Sequence, residues 1–146
     1  MLLIQTAPAN PLNDATWLFP LLECWHILGF ALSVGTIAIV DFRLLGIGMT
    51  RQSPAELAKD LAPWTLFGLA SMLLSGPLMF ATDPDMYYLN HSFQVKMACL
   101  LLAIMIHYTI RRKSISNGTA GKGVACVSLA LWAFVLAGGI FTGFFV

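Results

Sequence analysis

Five ionisable side chains lie in stretches of this sequence that are otherwise apolar: Glu23, His26, Asp41, Lys96 and His107. A charged group near the centre of a bilayer costs ~2.5–3.5 kcal/mol on insertion scales, so such residues are expected to face partners or a cofactor rather than lipid. Glu23 and His26 are three residues apart and share a helical face. Asp41 lies eighteen residues beyond Glu23, which is five turns at 3.6 residues per turn. Glu23, His26, Phe30, Val34, Ile37 and Asp41 therefore make one stripe. Lys96, Leu100, Ala103 and His107 make a second, spanning close to three turns. The two stripes are expected to face each other inside a bundle, with His91 on a different side of its helix.

Two kinds of chemistry follow from these stripes. Glu23 and Lys96, at similar estimated depths, are placed to neutralise each other in a low dielectric. His26 and His107, offset by roughly 8 Å along the membrane normal, are placed to ligate one metal, and most naturally a haem iron held from opposite sides. A cofactor-free polar network and a proton or ion path are the other readings of the same residues. Asp41-Phe42-Arg43 is expected to pair with the Arg111 region and to fix helix packing. The three cysteines, Cys24, Cys99 and Cys126, are odd in number and lack CxxC spacing, which argues against a disulfide framework or a zinc site. The seven scattered methionines read as core filling.

The elements that must carry these residues are membrane helices. The 146 residues are 58% hydrophobic and 10% charged, too little polar surface to cover a water-soluble globule. Four stretches reach the length a bilayer requires: residues 17–40, with helix continuing to about 48, then 64–81, 93–110 and 124–146. Short connections make neighbours antiparallel, so the expected fold is a single all-α domain over 1–146, an integral membrane up-down four-helix bundle. Arg43, Arg51, Lys59, Arg111, Arg112, Lys113 and Lys122 fall on one side, and Asp14, Asp83 and Asp85 on the other. The positive side reads as cytoplasmic, so both termini and the loop 82–90 face outward. The short apolar start, Met1 to Ile4, has no positive flank and does not read as a signal peptide. No basic run interleaves with aromatics, which leaves nucleic-acid binding without support.

Local signals agree with this layout. Ser53-Pro54-Ala55-Glu56 is a capping box that should start a short interfacial helix leading through Pro63 into the second span. Ser75-Gly76-Pro77 should kink or open that span near its outer end. Asn117-Gly118 marks a turn, and Gly138, Gly139 and Gly143 should let the last helix approach a neighbour closely.

The chain resembles the small four-helix bacterial membrane proteins grouped around the copper-resistance protein CopD and the HemJ-type protoporphyrinogen oxidases. The resemblance rests on Glu23-Cys24-Trp25-His26-Ile27-Leu28-Gly29, on Phe93-Gln94-Val95-Lys96, on His107-Tyr108 about three turns on, and on Asp41-Phe42-Arg43-Leu44-Leu45-Gly46. It implies haem b between the helices, with His26, Lys96 and His107 as the implicated residues. HemJ-type chains carry a histidine where this one has Gln94, so porphyrinogen oxidation is not the favoured activity. The expected function is electron transfer by a b-type haem protein of the bacterial inner membrane. His26 is one axial ligand, His107 the first choice and Lys96 the second for the other, and Glu23 orients or balances the site. Expected partners are the lipid bilayer, copies of the chain or other membrane redox subunits, and quinone. A copper-handling transporter or chaperone, using His91, Met86 and Met79, and a cofactor-free structural subunit are the alternatives.

Overall fold

A computed structural model describes residues 17–48, 51–116 and 121–144. Asp14, the Asn117-Gly118 turn and the two chain ends lie outside the described residues, as do the side chains of Met86 and Gly143. The fold is all-α, with α1 Leu18–Leu45, α2 Pro54–Phe80, a short α3 Pro84–Tyr88, and α4 His91–Ile106. A π-helical turn His107–Arg111 follows α4, then α5 Arg112–Ser116 and α6 Lys122–Phe144. Four of these helices are long and apolar enough to cross a membrane: α1, α2, α4 with its π turn, and α6.

Local chemistry sets the boundaries. α1 ends three residues short of the expected position 48, because Gly46 takes a left-handed φ of 87°. Its N–H reaches the Arg43 carbonyl at 3.1 Å and the Ile47 N–H reaches the Phe42 carbonyl at 2.9 Å, which together close a Schellman motif. Ser53 caps α2 as its spacing from Glu56 demands, with both arms of the capping box formed. The expected separate interfacial helix does not form as such. α2 runs without a break through Pro63 and Pro77.

The bundle is built from two closely packed pairs, α1 with α2 and α4 with α6, joined through α1 against α6. α2 and α4 scarcely meet. The α1–α2 seam is made of small residues. A methyl group built on Gly68 would stand 2.6 Å from the Ser33 nitrogen and 2.7 Å from the Gly29 carbonyl oxygen, so these backbones nearly touch. Across the same seam the Thr36 and Thr65 hydroxyls lie 2.8 Å apart. Ile37, Leu69, Met72, Leu100, Ala103, Trp132 and Val135 fill the centre. Ser33, Thr36, Thr65, Ser71, Ser75 and Ser128 are buried, whereas Trp25, Leu28, Leu74, Leu101 and Phe134 point outward. Small polar residues inside and large apolar ones outside are what a bilayer solvent selects, since lipid rewards the outer face and helix contact needs small residues.

Candidate functional site

The inner end of the bundle is organised by Arg111. Its Nε donates to Asp41 Oδ1 at 2.7 Å, its Nη2 donates to the Ile37 carbonyl at 3.1 Å, and its Nη1 lies 3.2 Å from His107 Nδ1. Asp41 and Arg111 are both buried, so the expected pairing of the Asp41 region with the Arg111 region is present. A guanidinium has donors and no acceptor, so His107 Nδ1 must accept. In the neutral ring the proton then sits on Nε2, a tautomer inferred from this network. His107 therefore offers a donor at Nε2 and not a lone pair.

His26 is set the other way. Its Nδ1 lies 2.8 Å from Ser75 Oγ, and that hydroxyl donates to the Ser71 carbonyl at 2.7 Å. With its single proton committed there, Ser75 Oγ accepts from His26 Nδ1–H. The ring's Nε2 is left with a bare lone pair, held in orientation by α2. This is the arrangement by which a neighbouring acceptor fixes a metal-binding imidazole. Gly76 leaves bare backbone beside the ring, where an added methyl would meet His26 Cε1 at 3.4 Å.

Lys96 extends along α6. An added methyl on Gly138 would meet its Cβ at 2.9 Å, and one on Gly139 its Nζ at 3.7 Å. These two glycines therefore admit the lysine, as the small residues of the last helix promised. The expected Glu23–Lys96 ion pair is not formed. Glu23 is exposed near the outer end of α1, and its charge acts instead on Tyr87. Burial chiefly, then Glu23 and Asp83, push the Tyr87 hydroxyl above its usual range. The rest of the α1 stripe turns inward as expected, from half-buried Phe30 and Val34 to buried Ile37 and Asp41. The second stripe does too, with Leu100 and Ala103 buried. His91 is exposed and lies near Gln94, and Gln94 donates to the Tyr88 carbonyl, tying α3 to α4.

The two histidines sit at different levels. Ile37 is bound by Arg111, four residues past His107, while His26 precedes Ile37 by eleven residues. At ~1.5 Å per residue His26 lies about 10 Å nearer the outer side than His107. The structure thus sets His26 against Ser75 and brings His107 together with Arg111 and Asp41.

Three features escaped the sequence reading. Asn90 caps α4, its Oδ1 accepting from the Ser92 and Phe93 N–H groups, and its Nδ2 donates to the Thr142 carbonyl of α6. An asparagine just before an apolar periodic run was a readable signal for the cap, but not for the second bond. The π turn carries no sequence mark. Trp132, buried in the central cluster and edge-on to Phe30, has an indole N–H without an acceptor. Among the described residues no group of three or more His, Cys, Asp or Glu is arranged to hold a metal ion.

No curated protein and no solved structure gives a significant match to this chain. Residues 19–145 match the DUF6644 family, described as a family of unknown function, and the match takes in every span and both histidine sites. The chain belongs to the DUF6644 family.

Proposed function

We propose that this chain is a membrane redox protein that carries a b-type haem in the outer half of the bundle, with His26 as an axial ligand. The observation that supports this most is the 2.8 Å approach of His26 Nδ1 to Ser75 Oγ, whose own proton goes to the Ser71 carbonyl; with Nδ1–H donating to Ser75, Nε2 is free to bind iron. Two further features fit the group. Lys96 brings a primary amine into the bundle along Gly138 and Gly139 of α6, and the buried Trp132 N–H, near Phe30 one turn inward, awaits an acceptor. When bound, the iron supplies one-electron chemistry whose potential depends on ligand identity and burial. The chain's own part is to hold the imidazole by Ser75 and to exclude water with the apolar centre.

In this reading Lys96, as the neutral amine, rather than His107 would be the second ligand, because Arg111 holds His107 at Nδ1 about 10 Å nearer the inner side than His26. The setting is the bacterial inner membrane, with the basic ends of the spans in the cytoplasm. Electron partners are other membrane redox subunits or quinone. The resemblance to the CopD and HemJ-type group supports haem over a cofactor-free role. The visible spectrum of the purified protein tests the proposal. A Soret band that His26→Ala removes agrees with it, and a colourless protein from haem-replete cells rejects it.

A further inference from the structure

A cleft of about 480 Å³ lies at the inner end between α2 and the π turn with α5, backed by α1. Its walls carry Lys59 from α2, His107 and Tyr108 from the π turn, and Arg112 just beyond it. Below these lie apolar side chains such as Val40 and Leu66. Every polar side chain named here is a donor or can be one. His107 turns Nε2–H outward from its bond to Arg111, while Lys59 and Arg112 are cations. Arg111 also lines the cleft, but each of its three nitrogens is already engaged with Asp41, Ile37 or His107. No carboxylate lines the cleft, and Asp41 behind it is buried and paired with Arg111. The cleft therefore offers positive charge and hydrogen-bond donors over an apolar floor, with no free anion of its own.

We infer that this cleft binds an anionic phospholipid of the inner leaflet, its phosphate between Lys59 and Arg112 and the start of an acyl chain along the apolar floor. Charge complementarity selects the headgroup. Cations at the end of membrane-spanning helices above apolar side chains such as Val40 and Leu66 suit an amphiphile rather than a soluble anion. The π turn has a part in this. The wider turn sets His107, Tyr108 and Arg111 on the cleft wall together, and such turns are frequent at functional sites. His107 donates to a phosphate or ester oxygen one turn deeper than the cations. This inference does not rest on the haem reading, and the lipid is a ligand rather than a redox partner.

Native mass spectrometry of the full chain, released from detergent doped with phosphatidylglycerol or with phosphatidylcholine, tests it. Phosphatidylglycerol should be retained as a one-to-one adduct and phosphatidylcholine should not. Lys59→Gln with Arg112→Gln should weaken retention at least tenfold, as expected for losing two interfacial cations at ~1 kcal/mol each. Arg51→Gln, which removes an exposed cation outside the cleft, should leave retention unchanged. Equal retention of the two lipids overturns the inference, as does an adduct that survives the double substitution. Displacement of the lipid by inorganic phosphate at equal concentration also overturns it, because a soluble anion would then be the ligand. Haem content read in the same spectra keeps the two proposals separate.

Discussion

Arg111 Nε meets Asp41 Oδ1 at 2.7 Å with the two side chains 4% and 0% exposed, joining the third span to the first where the basic loops begin. The second carboxylate oxygen, Oδ2, has no hydrogen-bond partner. A buried pair of this kind is worth little net, but removing one member strands the other. Asp41→Asn and Arg111→Leu should each lower stability by about 3–5 kcal/mol. Asp41→Leu with Arg111→Leu should cost less than the sum of the two single losses. Thermal unfolding in detergent measures this, and strictly additive losses would show that the pair is not coupled.

The seam between α1 and α2 makes a second prediction. A methyl on Gly68 would meet backbone atoms of Ser33 and Gly29 at 2.6 and 2.7 Å, and backbone cannot swing aside as a side chain can. Gly68→Ala should force the helices apart and cost ~1–3 kcal/mol. Gly35→Ala, on α1 with nothing within 4 Å of the added methyl, should be neutral or mildly stabilising through helix propensity. Melting temperatures of the two variants compare them directly. A Gly68→Ala protein as stable as the parent would mean that the seam is looser than described.

The opposed settings of the two histidines separate their roles by spectroscopy. His26→Ala should lose the Soret band. Ser75→Ala should keep a weakened, broadened band, because the imidazole loses its orienting acceptor. Disturbing such a supporting residue costs roughly 10–100-fold in metal affinity. Lys96→Ala should retain haem but shift it toward a high-spin spectrum. His107→Ala should leave the spectrum as it was. Loss of haem in His107→Ala with retention in His26→Ala would reverse the assignment.

Orientation rests on charge distribution. Arg43, Arg51, Lys59, Arg111, Arg112, Lys113 and Lys122 lie toward one end of the spans, and Asp83 and Asp85 toward the other. A cysteine placed at Asp85 should react with a membrane-impermeant maleimide in intact spheroplasts, and one placed at Gly121 only after the membrane is opened. Labelling of position 121 alone would invert the topology.

Much of this protein was readable from one dimension. Apolar runs of about twenty residues, the uneven distribution of Lys and Arg, the Ser53–Glu56 capping box and the helical spacing of Lys96, Leu100, Ala103 and His107 are local or periodic properties. Local backbone preference and the bilayer act on them directly. The sequence also indicated that Asp41 would pair near Arg111, because a buried charge must find its opposite and few candidates lie at that level. What it could not decide was which partner wins when several share a depth. Glu23 and Lys96 were expected at similar depths, yet Glu23 is exposed and Lys96 lies along Gly138 and Gly139. The close approach of Gly29 to Gly68 brings α1 and α2 together on the side that sets His26 against Ser75. Tertiary packing likewise decided the two tautomers. Whether an imidazole presents a proton or a lone pair depends on the atom beside its other nitrogen, and Ser75 lies 49 residues away from His26 in the chain.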